Sequence, residues 1–119
     1  LCSLIAHPSA LDLVSAQLQS NMIGTRTTAL DALRFMESEK ASTLIIQYMK
    51  TDAEESVRRA AIASAGYRPA TQDLLVALGE AWRGDSSASV RRSAEESIMR
   101  LDSRYPGLMT QMEARYAAR

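Results

Sequence analysis

The stretch Asp52 to Ala65, D-A-E-E-S-V-R-R-A-A-I-A-S-A, decides the fold, because Asp85 to Ile98, D-S-S-A-S-V-R-R-S-A-E-E-S-I, repeats it without a gap. The shared frame is D-x-x-x-S-V-R-R-x-A-x-x-S, and the offset is 33 residues. Self-similarity at such a period marks tandem structural units that bury their apolar faces by stacking. A weaker copy lies one unit earlier, at an offset of 32: Thr25-Arg26 falls where Val57-Arg58 falls, Ala29 matches Ala61, and Leu33 matches Ala65. Its turn residue is Ser20 or Asn21 in place of aspartate.

Outward from these segments lie further amphipathic stripes. Leu11, Val14 and Leu18 share one helical face, as do Leu44, Ile45, Tyr48 and Met49, and Leu74, Leu75, Leu78 and Trp82. All follow i, i+3, i+4 spacing. Pro8, Pro69 and Pro106 each stand just before a stripe. Proline opens a helix without losing a hydrogen bond and discourages helix in the residue before it. The reading is a helix tail over 1–6, helix pairs over 9–37, 40–67 and 70–103, and a partial repeat over 106–119. Asp52 and Asp85 are placed to cap the second helix of their pairs or to shape the turn before it.

Composition agrees. Among 119 residues, 46% are hydrophobic but only 5% aromatic, and 19 are Ala, the strongest helix former. Fourteen basic residues balance fourteen acidic ones, which disfavours nucleic acid or an anionic membrane as partner. No apolar run reaches the length of a membrane span. The lone Cys2 allows no internal disulfide and leaves the compartment open, with the cytoplasm favoured. The sequence opens at Leu1 inside an apolar run, as a fragment of a longer protein would. The stripes Leu1-Leu4-Ile5 and Leu108, Met109, Met112 and Tyr116 read as uncovered faces at the two ends.

An apolar helix followed by D-x-x-x-x-V-R-x-x-A and a small-residue helix end resembles the HEAT repeat in its short, bacterial-type form. The residues carrying the resemblance are Asp52, Val57, Arg58, Ala61 and Ala65, then Asp85, Val90, Arg91 and Ala94. It implies an all-α, right-handed α–α superhelix, a solenoid whose second helices line the concave face. It also implies a ladder of Asp52 and Asp85 with Arg58 and Arg91 near the repeat interfaces, with Arg26 as a further rung.

The sequence offers little chemistry. His7 is the only histidine, and with one Cys it excludes the usual Cys/His zinc site. No His-Glu dipeptide occurs, which excludes for this segment the di-iron hydroxylase activity found among HEAT-type enzymes. Trp82, the only tryptophan, sits on an apolar stripe and reads as packing rather than as the lesion-site aromatic of HEAT-like DNA glycosylases. Eight arginines fall on second helices beside seven acids, so no strong positive field is expected. Gly66 and Gly84 stand at helix ends, whereas Gly79 is mid-helix, where it costs about 1 kcal/mol against Ala and suits a close helix approach.

The expectation is a non-catalytic scaffold that binds another protein or peptide, with no cofactor, metal or membrane span. By helical phase the exposed positions are Arg34, Arg59, Ala63, Arg92 and Glu96, of which Arg59, Arg92 and Glu96 are the candidate partner-binding stripe. Two alternatives rest on the resemblance: a bilin-lyase-like, cofactor-handling protein and a DNA-glycosylase-type nucleic-acid module.

Overall fold

The periodic stripes and the turn residues between them fold into helices throughout. The computed structural model describes residues 2–116, with side chains from Ala10 to Tyr116. In order come α1 (Cys2–Gln17), α2 (Ile23–Leu33), α3 (Glu39–Thr51), α4 (Glu55–Ala65), α5 (Gln72–Gly84), α6 (Ala88–Arg104) and α7 (Leu108–Tyr116). No strand occurs among the described residues, and the chain is all-helical.

Hydroxyl side chains set where several helices begin. Ser38 accepts from the Lys40 amide before α3, Thr71 from Leu74 before α5, and Ser87 from Val90 before α6. Each supplies an acceptor to an amide that has no partner in the first turn. Asp52 and Asp85 work differently. Each ends the preceding helix, and its Oδ1 accepts the amide two residues on, Glu54 or Ser87, at 2.9 Å. They shape the turn and leave the capping to their neighbours. Ser20 makes the same bond to the Met22 amide at 3.1 Å, so Ser20 rather than Asn21 is the turn residue of the first unit.

Several boundaries differ from the sequence expectation. α1 runs unbroken through Pro8 from Cys2 to Gln17, so the break expected between residues 6 and 9 is absent. An internal proline removes one amide bond and crowds the previous turn, which bends a helix without necessarily ending it. α2 stops at Leu33 and α4 at Ala65, short of residues 37 and 67. α5 starts at Gln72 because the Thr71 hydroxyl, not Pro69, caps it. α7 starts at Leu108, after Gly107 takes a φ of +94° that side-chain-bearing residues rarely adopt, and Asp102 Oδ1 accepts the Met109 amide at 2.9 Å.

α1 packs on α2, α3 on α4 and α5 on α6. α4 also lies against both α2 and α6, and α5 against both α3 and α7, giving extents of 52 × 30 × 17 Å. Val57 and Val90 of the repeated motif are fully buried, with Leu30, Leu33, Ile45, Ile62, Leu74, Leu78, Ile98 and Leu101. Buried Ala61 and Ala94 leave room for neighbouring helices to approach. Leu108, Met112 and Tyr116 are buried as well. The uncovered face expected at this end is thus absent, because α7 turns its stripe onto α5 and α6. The Leu1-Leu4-Ile5 stripe lies outside the described side chains.

Candidate functional site

At the starts of the second helices runs a series of arginine–aspartate pairs. Arg26 Nε donates to Asp52 Oδ2 at 3.0 Å and its Nη2 to Oδ1 at 3.3 Å. Arg58 repeats this on Asp85 at 3.0 and 3.1 Å. The carboxylate side chains are only 7% and 8% exposed, so these fork-shaped pairs are well shielded from water.

Each arginine also turns Nη1 to the backbone of its own unit, six residues back. The acceptors are the carbonyls of Ser20, Asp52 and Asp85, at 2.8, 3.0 and 2.6 Å from Arg26, Arg58 and Arg91. The ladder therefore has a different register from the expected one. Asp52 pairs with Arg26 and Asp85 with Arg58, each aspartate with the arginine of the preceding unit. Arg58 meets Asp52, and Arg91 meets Asp85, only through the backbone carbonyl.

A second set of polar contacts closes the other ends of these helices. The last four carbonyls of a helix have no intrahelical donor. Ser64 Oγ donates to Leu30 O at 2.8 Å, and Ser97 Oγ to Ile62 O at 2.7 Å, so each hydroxyl completes the last turn of the preceding second helix. Arg68, 5% exposed, donates to the carbonyls of Leu33, Arg34, Met36 and Ser38 and to Ser42 Oγ. Burial pulls its guanidinium pKa below the ordinary arginine value, and the ring of carbonyl dipoles offsets the lost hydration. Arg104 Nη2 donates to Gly66 O and Arg68 O at 3.2 and 2.8 Å. Tyr48 Oη reaches Leu18 O at the end of α1.

One exposed group forms a column that the repeat offset itself defines. Phe35, Tyr67 and Arg100 are equivalent positions, separated by the same 32 and 33 residues as Arg26, Arg58 and Arg91. The Phe35 and Tyr67 rings stand 6.4 Å apart, and the guanidiniums of Arg34 and Arg100 lie 4.7 and 4.8 Å from the Tyr67 ring centre. Arg34 is also 5.7 Å from the Phe35 ring and bonds Asp31 at 3.1 Å. Phe35 is 78% exposed, Tyr67 42%, and Met99 beside this column 55%. Helical phase does not reach Phe35 and Tyr67, which lie just past the ends of α2 and α4, whereas aligning the repeats finds them.

Of the positions chosen by phase, Arg59 and Arg92 are separated by the same 33 residues as the repeated motif. Arg59 and Arg92 are exposed, as is Glu96, while Ala63 is half-buried. Arg59 Nη1 donates to Ser89 Oγ at 2.8 Å and so ties α4 to the start of α6. Ser87 adds a hydroxyl bond to the Glu55 carboxylate across the same junction. Arg92 borders a recess with Trp82, Arg83, Arg91 and Glu95. Trp82 itself is 8% exposed and belongs to the core. The side chain of His7 is outside the described residues.

The column offers flat π surface and delocalised positive charge, which suit binding. Among the described residues no group of His, Cys, Asp and Glu could hold a metal ion, and no helix is long and apolar enough to cross a membrane. No family model, curated protein or solved structure matches this chain.

Proposed function

We propose that this chain is a non-catalytic interaction scaffold, a HEAT-like solenoid that holds a protein or peptide partner on the exposed surface of α2, α4 and α6. The observation that carries this reading is the column of Phe35, Tyr67 and Arg100 with Arg34 between the rings. Tyrosine, phenylalanine and arginine dominate the energetic centres of protein interfaces, since they bring large contact area with few rotatable bonds. Here they stand exposed on successive units, while Arg26, Arg58, Arg68 and Arg104 are engaged between units. A concave surface shared by stacked second helices would present them as one continuous strip.

The test compares the wild-type chain with a Tyr67→Ala, Arg100→Ala variant. Proteins retained by the immobilised wild type are purified and titrated against both forms. The expected result is a partner bound about tenfold or more weakly by the variant, corresponding to the loss of one strong interface contact. Equal binding by the two forms would reject the column. Salt-sensitive retention on heparin with capture of nucleic acid alone, or substrate turnover by the purified chain, would reject the scaffold.

A further inference from the structure

The two cations of the Phe35–Tyr67–Arg100 column are not alike. Arg34, which lies over both rings, has its charge met by Asp31 at 3.1 Å. Arg100 lies 4.8 Å from the Tyr67 ring centre and against Gly66, where a Cβ would stand 3.4 Å from its Nη1. Glu96 stands one turn before it on α6, yet no ion pair joins the two. Among the described residues no acceptor meets an Arg100 donor, and the Tyr67 hydroxyl likewise makes no bond. α4 lies against both α2 and α6, so Tyr67 is exposed with another unit on each side of it.

We infer that the column takes an extended peptide segment with a carboxylate for Arg100 and an apolar side chain, two or three residues away, for Phe35. The inference rests on the scaffold reading and gives its partner a chemistry. A cationic ligand is disfavoured, because guanidiniums already lie over both rings. A neutral partner covering Tyr67 would strip water from Arg100 and leave its charge unpaired, which is costly. A carboxylate removes that cost. With one face on Tyr67, the guanidinium keeps its planar edge for two parallel bonds.

The spacing follows from the rings. The Tyr67 ring centre is 6.4 Å from that of Phe35 and 4.8 Å from the Arg100 guanidinium. An extended chain advances about 3.3 Å per residue, so two or three residues cover the interval. The free Tyr67 hydroxyl lies between the two ends, where a peptide carbonyl would pass. A nucleic acid fits less well. Its affinity comes from many phosphates, whereas Asp31 and Glu96 stand beside these arginines and the chain carries no net charge.

The experiment pans a random peptide display library on the immobilised chain, with counter-selection on the Tyr67→Ala, Arg100→Ala variant. Enriched sequences should share an Asp or Glu two or three residues from an apolar residue. One such peptide is then titrated beside the same peptide with its acid replaced by the amide. The wild-type chain should bind the acid form about tenfold or more tightly. Arg100→Gln should bind both forms equally, whereas Arg92→Gln, on the same helix, should keep the preference. Column-dependent peptides without a common acid would overturn the inference and leave the scaffold standing. Finding no peptide that distinguishes the two immobilised forms would reject both. Loss of the preference in Arg92→Gln as in Arg100→Gln would also overturn it, as would tighter column-dependent binding of a single-stranded oligonucleotide.

Discussion

The ring of Tyr116 on α7 occupies the space that a side chain at Gly79 on α5 would need. A Cβ at Gly79 would lie 2.3 Å from the ring carbons, far inside van der Waals contact. Gly79 is buried in mid-helix, and Tyr116 is 4% exposed. The glycine is therefore the socket through which the last helix docks. Its low helix propensity is offset by the aromatic area that the docking buries.

This contact predicts a change of sign. Gly79→Ala in the wild-type chain should lower stability by about 1–3 kcal/mol, the usual range for overpacking a tight site. In a Tyr116→Ala background the same substitution should stabilise by up to about 1 kcal/mol, since only helix propensity remains. Urea unfolding of the four chains measures both effects. Gly79→Ala destabilising both backgrounds equally would show that the socket does not exist.

The hydroxyls that close the preceding helix make a second expectation. Ser64→Ala and Ser97→Ala should each cost about 1–2 kcal/mol, the loss of a buried hydrogen bond together with an unpaired carbonyl at Leu30 or Ile62. Hydrogen exchange should rise most at the end of α2 in the first variant and of α4 in the second. Faster exchange confined to the substituted helix would contradict the assignment.

Arg68 should be among the most sensitive polar positions. Its guanidinium satisfies carbonyls of the α2–α3 connection and the Ser42 hydroxyl from a buried site. Arg68→Ala should cost about 3 kcal/mol or more, as expected when buried polar groups lose their common partner. Arg68→Lys should restore little, because one ammonium cannot span those acceptors. Burial lowers the Arg68 pKa, so its charged form is less favoured in the fold than in the unfolded chain. The sign means that deprotonation would favour the folded state. That gain lies near the top of the pH scale, and stability between pH 5 and 8 should not change through Arg68. A thermal melt of Arg68→Lys matching the wild type would refute the role.

Much of this architecture was legible in the sequence. Val57 and Val90, with Ala61 and Ala94, repeat at one offset and are all fully buried. The rungs were legible in kind but not in register. Arg58 has one aspartate six residues back and another 27 ahead, and periodicity alone cannot choose between them. The structure chooses by geometry: Asp52 is committed to its own turn, so it meets Arg58 through its carbonyl and presents its carboxylate to Arg26. Arg68 and Arg104 escaped notice because they are 36 residues apart, off the repeat. The Phe35, Tyr67 and Arg100 column keeps its position while its residue types change, which defeats any search for a conserved motif within the chain.

The arginines divide into those that join the units, such as Arg58, and those left exposed, such as Arg92. A double-mutant cycle on unfolding free energy tests that division most directly, with Arg58→Ala combined with Asp85→Asn, which preserves the turn acceptor. The cycle should give a coupling of about 1–3 kcal/mol for Arg58 with Asp85 and under about 0.5 kcal/mol for Arg58 with Asp52, while Arg92→Ala leaves stability within about 0.5 kcal/mol. Coupling of Arg58 to Asp52 in place of Asp85, or a loss at Arg92 as large as at Arg58, would contradict it.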